Sequence, residues 1–116
     1  MRLVENYLAT WNAADEELRR ALLKEHWSER AVYADPLVEA VGHAEIAQVI
    51  DGVRKQFPGF HFTSVGEPDA HGRLSRFRWG LGPAGEEPIV IGFDVVVADD
   101  RGFIQDVYGF LDRVPG

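Results

Sequence analysis

The segment Pro88–Ala98 constrains this chain more than any other. One face of it carries Ile89, Ile91, Phe93, Val95 and Val97, and the other Val90, Gly92, Asp94, Val96 and Ala98. A strand apolar on both faces has to be covered on both sides. What precedes it must therefore supply one covering layer, and something else the second.

The first half of the sequence has the spacing of helices. Val4, Leu8 and Trp11 stand at i, i+4 and i+7, with Tyr7 beside the stripe. Asp15 is a suitable N-cap for a second helix that has Glu16 and Glu17 in its first turn. Leu18, Leu22, Leu23 and Trp27 form the apolar side of that helix. Ala31-Val32-Tyr33 is a short extended run stopped by Asp35-Pro36. After Val41-Gly42-His43, the residues Ile46, Val49, Ile50, Val53 and Phe57 recur at helical spacing until Pro58 ends them.

The second half reads as strands: Phe60–Gly66, Leu74–Gly82, Pro88–Ala98 and Phe103–Val114. Asp-Ala-His-Gly, Gly-Pro-Ala-Gly-Glu-Glu and Asp-Asp-Arg-Gly separate them, and these are turn sequences that join antiparallel neighbours. Helices followed by strands define an α+β fold. With 116 residues there is room for one domain, spanning 1–116. Three helices can cover one face of such a sheet, so a homodimer through the other face is expected.

Charge and composition narrow the function. Nineteen Asp and Glu against twelve Lys and Arg give a formal net charge of -7, which repels nucleic-acid phosphates and anionic lipid. Neither nucleic acid nor membrane is therefore an expected partner. The chain has no Cys, so thiol nucleophiles and thiolate zinc sites are excluded. No apolar leader or span is visible, and the cytoplasm is the expected compartment.

Several motifs carry no chemistry. Gly80–Gly85 matches GxGxxG, but Glu86, Glu87 and another strand follow where a phosphate-binding helix would have to begin, so it reads as a hairpin loop. His26, His43, His61 and His71 lack metal-ligand spacing, and no metal or cofactor is expected. Ser28, Ser64 and Ser75 lack a nucleophile elbow.

Two carboxylates stand out. Asp94 lies inside the most apolar strand, where Asp is rare without a partner; either it faces a pocket or it pairs with Arg76 or Arg78. Asp35 ends a strand before Pro36, as a turn-forming residue or a pocket-edge carboxylate. Burial disfavours the charged form of such a group and can make it a hydrogen-bond donor near neutral pH. Arg76 and Arg78 alternate with Phe77 and Trp79, which places them either on a charged outer face or as a clamp for a carboxylate.

In this order these pieces resemble the nuclear transport factor 2-like superfamily, which includes ketosteroid isomerases and SnoaL-like polyketide cyclases. The resemblance rests on Tyr7–Asp15 (YLATWNAAD), Tyr33–Leu37 (YADPL), Val41–His43, Phe57–Gly59, Gly92–Asp94 and Gly109–Leu111, and covers nearly the whole chain. It implies a cone: a curved antiparallel sheet packed against the three N-terminal helices and enclosing a pocket for a small, largely apolar molecule. It implies dimerisation through the sheet as well. By the ketosteroid isomerase pattern Asp35 is the general base, and Tyr7 and Asp94 are oxyanion donors. The expected pocket residues are Trp11, Tyr33, Phe57, Phe60, Arg76, Trp79, Val96 and Phe110. Three functions follow from the resemblance: an isomerase or cyclase without a cofactor, a ligand-binding or dimeric module without catalysis, and an epoxide hydrolase-like site in which Asp35, Arg76 and Asp94 activate water.

Overall fold

The computed structural model describes residues 2–115. Helix α1 (Arg2–Asn12) buries Val4 and Trp11 of the expected stripe together with Tyr7 beside it, while Leu8 is half-buried. Helix α2 (Glu16–His26) begins at Asp15, whose side chain accepts from the Leu18 amide at 2.7 Å. That cap satisfies one of the donors a helix N-terminus leaves free. Helix α3 (Gly42–Gln56) buries Ile46, Ala47 and Ile50, and ends before Pro58.

The strands are β1 (Trp27–Ala34), β2 (Glu39–Val41), β3 (Phe60–His71), β4 (Leu74–Pro83), β5 (Val90–Ala98) and β6 (Ile104–Arg113). They form one six-stranded sheet in the order β2-β1-β6-β5-β4-β3. Neighbours pair antiparallel, except that β1 runs parallel to β6. The architecture is α+β as expected, but the sheet is mixed. The parallel contact joins Tyr33 to Val107 and Ala34 to Tyr108, placing the end of β1 beside the middle of β6. Trp27 also departs from expectation: it begins β1 and is almost wholly buried there, rather than extending the apolar side of α2.

The two faces of β5 divide as the alternation requires. Val90, Gly92, Asp94 and Val96 are buried toward the helices; in the alternate positions Phe93, Val95 and Val97 are half-buried, and Ile91 at the start of the strand is buried. The core gathers on the inner face around Trp27, Ile46, Ile50, Val96, Ile104 and Val107. The Gly80–Gly85 segment is the end of β4 and its turn, where the Glu86 amide donates to the Pro83 carbonyl at 3.1 Å.

Candidate active site

The inner face of the sheet and the first helix enclose a cavity of about 240 Å³. Its wall includes Tyr7 and Trp11 from α1, Tyr33 and Asp35 from the end of β1, and Phe62 and Trp79 from β3 and β4. Leu37 and Val114 lie at the cavity and are largely exposed.

Tyr7 and Asp94 meet at the back. The Tyr7 hydroxyl donates to Asp94 Oδ2 at 2.6 Å, linking the first helix to the fifth strand. The phenol ring is held by Trp27, 5.6 Å away between centroids, and by Phe77 at 5.4 Å. Asp94 is 2% exposed, and among the described residues no guanidinium pairs with it: Arg76 meets Asp69 and Arg78 meets Asp112. Burial pushes its pKa up to about 6, against the opposing pull of the Tyr7 hydrogen bond. The Trp79 indole N–H also favours the charged carboxylate, although it lies outside hydrogen-bonding geometry and is a buried donor without a partner. Burial and the adjacent carboxylate raise the Tyr7 pKa well above the phenol range. Tyr7 is therefore a neutral hydrogen-bonding group at any physiological pH.

A second tyrosine–aspartate pair stands at the front. Tyr33 Oη donates to Asp35 Oδ2 at 2.7 Å, while Asp35 Oδ1 accepts from the amides of Leu37 at 2.8 Å and Val38 at 3.0 Å. Asp35 is thus a turn former and a cavity carboxylate at once, for the backbone bonds occupy one oxygen and leave a lone pair on the other. Trp11 lies between the two pairs, with ring centroids 6.4 Å from Tyr7 and 5.5 Å from Tyr33.

Glycines let these groups approach. A Cβ on Gly92 would lie 2.1 Å from Cζ2 of Trp79, so the indole rests directly on the β5 backbone. A Cβ on Gly109 would lie 2.8 Å from Asp94 Oδ1 and 3.4 Å from Asp35 Cβ. The two aspartates therefore approach the same bare patch of β6.

Of the expected pocket residues, Tyr7, Trp11, Tyr33, Asp35, Phe57 and Trp79 line the cavity. Asp94 lies behind Tyr7 and reaches the cavity through it. Four expected residues fall elsewhere. Phe60 packs on Phe57 at 5.3 Å, outside the lining, and Val96 is sealed in the core. Phe110 is 56% exposed on the outer face opposite Phe93, because its strand parity is that of Tyr108. Arg76 is exposed and bonded to Asp69 at 3.4 Å, and Arg78 faces Asp112 at 3.6 Å. Both arginines are on the outer face, so Asp35, Arg76 and Asp94 do not assemble into a water-activating triad. The lining residues missed from sequence, among them Phe62, Leu81, Val90 and Leu111, were signalled only by inward parity on their strands. His43 is satisfied by the backbone, its Nε2 lying 3.1 Å from the Trp27 carbonyl and 3.0 Å from that of Ser28. No cluster of metal-ligating side chains occurs among the described residues.

Three helices on one face of this sheet, over an aromatic cavity, make an α+β pocket protein with the nuclear transport factor 2-like fold. The SnoaL-like domain matches residues 4–105, and the chain belongs to that family. A crystal structure from Agrobacterium tumefaciens, provisionally described as an isomerase of the SnoaL-like family, is 40% identical over 96% of this chain and 95% of its own, with a TM-score of 0.90. A provisionally described polyketide cyclase from Sinorhizobium meliloti is 16% identical over 94% of both chains, with a TM-score of 0.72. A protein of unknown function from Exiguobacterium is 18% identical over 95% of this chain and 98% of its own, with a TM-score of 0.73. The last two share the fold alone. No curated protein matches the chain.

Proposed function

We propose that the cavity binds a small, largely apolar molecule and acts on it as an acid–base isomerase or cyclase without a cofactor. The observation that carries this reading is the pair of tyrosine–aspartate contacts at one aromatic cavity, with a carboxylate lone pair at the front and a neutral phenol at the back. The isomerase description of the Agrobacterium relative supports it. A cavity of roughly 150 Å³ can hold benzene, so about 240 Å³ suits a body of one or two rings.

In this reading Asp35 Oδ2 takes a proton from a carbon beside a carbonyl. The C–H electron pair forms the new C=C bond, and the carbonyl π pair moves onto oxygen. Asp35 then returns the proton to the far carbon of a conjugated double bond, or the enolate carbon attacks a second carbonyl and closes a ring while the Asp35 proton passes to the oxygen of that carbonyl. Tyr7 holds the developing oxyanion. A phenol has one proton to donate, and with Asp94 ionised that proton is directed at Asp94. Once Asp94 is protonated it donates to the Tyr7 oxygen and frees the Tyr7 proton for the substrate. Asp94 is thus a positioning residue that acts through Tyr7.

Deuterium exchange at the α-carbon of a single-ring ketone, followed by NMR in D2O, tests the reading. The protein should accelerate exchange above the buffer rate, and phenol should inhibit it competitively. Ligand quenching of tryptophan fluorescence with no accelerated exchange would favour a binding module without catalysis.

The chain is proposed to form a homodimer through the outer sheet face. Tyr108 and Phe110 are 44% and 56% exposed there, beside half-buried Phe93 and Val95. Arg76 and Arg78 flank this patch on β4, and Asp106 and Asp112 on β6. A two-fold axis along β5 would set the basic flank of one copy against the acidic flank of the other. Light scattering should give twice the 13.0 kDa chain mass, and Phe110→Lys should reduce it to one chain. A monomeric parent protein at micromolar concentration would overturn the dimer.

A further inference from the structure

Charge at the cavity is of one sign. Asp35 is in the wall and Asp94 lies directly behind Tyr7, yet no Lys, Arg or His lines the cavity among the described residues. Three carboxylates nearer the surface do have basic partners: Asp51 meets Arg19 and Lys55, Asp69 meets Arg76, and Asp112 meets Arg78. Neither Asp35 nor Asp94 has an ion-pair partner of this kind among the described residues. Their hydrogen bonds come from neutral donors, two phenols and two amides.

The wall around them is aromatic and continuous. Ring centroids of Tyr33 and Trp11 are 5.5 Å apart, those of Trp11 and Phe62 5.2 Å, and those of Phe62 and Trp79 5.3 Å. Aromatic faces are electron-rich and attract cations most strongly where water is excluded, with indole the best of them. Asp35 is half-buried at the wall and Asp94 is buried behind Tyr7, and a cationic ligand would bring the counter-charge that neither has among the described residues. An anionic ligand would meet both effects with the wrong sign.

We infer that the cavity selects a small organic cation, an ammonium group on a body of one or two rings, over a neutral molecule of the same shape. This goes beyond the acid–base reading because it concerns only the charge of the occupant, and it holds for a catalyst and for a binding module alike. The ammonium group sits against the Trp11–Phe62–Trp79 wall with Asp35 as its counter-ion.

Phenyltrimethylammonium and tert-butylbenzene have nearly the same shape and differ in charge, and benzoate reverses the sign. Each is titrated at pH 7.5 against the full chain, read by fluorescence of the cavity tryptophans. The ammonium compound should bind at least about tenfold tighter than the hydrocarbon, the order expected from a desolvated cation–π contact with a nearby carboxylate. Benzoate should bind more weakly than both. Asp35→Asn should bring the two isosteres to within about threefold of each other, since it removes the counter-ion and retains the turn acceptor. Equal or tighter binding of tert-butylbenzene to the parent protein overturns the inference, whatever the variant does. An unchanged ratio in folded Asp35→Asn overturns the assignment of Asp35. Proton exchange at carbon is measured separately, so a failure here leaves the acid–base reading standing, and a failure there leaves this one.

Discussion

Substituting Asn for Asp35 is expected to slow carbon proton exchange by about 10²–10⁴-fold, the usual contribution of a positioned general base. The fold should survive. An amide oxygen can accept from Leu37 and Val38 as Asp35 Oδ1 does, so the turn between β1 and β2 keeps both backbone bonds. The Tyr33 hydroxyl, now a donor to Asp35 Oδ2, can turn and accept from the new NH2 group. What disappears is the lone pair that receives the proton. Exchange rates and thermal melts on the same samples separate the two effects. Equal exchange by variant and parent would remove Asp35 from the mechanism.

The second large effect is on stability and comes from Asp94. Its carboxyl titrates at about 6 in the folded chain against 3.8 for the free group, chiefly because burial disfavours the charge. Below 3.8 the group is protonated whether the chain is folded or not, and its contribution to stability is complete. As pH rises toward 6 the unfolded chain ionises first, so that contribution is lost, and above 6 the loss is constant. The shift corresponds to about 3 kcal/mol. Asp94→Asn has no such titration. Its stability relative to the parent should improve by about 3 kcal/mol between pH 3.5 and pH 7, measured by urea unfolding. Parallel stability profiles would show that Asp94 titrates like an exposed carboxylate.

Much of this was legible in the residue order. The i, i+4, i+7 stripe of Val4, Leu8 and Trp11 gave α1, Asp15 marked the start of α2, and Pro58 followed the end of α3. Alternation in Pro88–Ala98 sorted β5 into the faces it has, and it isolated Asp94 as the odd member of the inner one. Other features depended on tertiary pairing. The three-residue β2 is too short to show a period, and its pairing with β1 defines it. Trp27 is compatible with the end of a helix or the start of a strand until β6 lies alongside. Phe110 and Leu111 face opposite ways as strand neighbours do, and their pairing with Phe93 and Gly92 of β5 sets which of them meets the cavity. The position of Asp94 behind Tyr7 required the packing of α1 on the sheet.

The parallel contact between β1 and β6 also determines when a working cavity can exist. Asp35 follows a strand whose neighbour on one side begins only at Ile104, and Leu111 in the cavity wall belongs to that late strand. During synthesis the first thirty-odd residues, which carry Tyr7, Trp11, Tyr33 and Asp35, must wait for almost the whole chain to emerge. Pairings this distant in sequence close late, because loop entropy has to be overcome first. Premature termination within β6 would leave both aspartates without the strand they share. Such a product would lose the site as a whole and not by degrees.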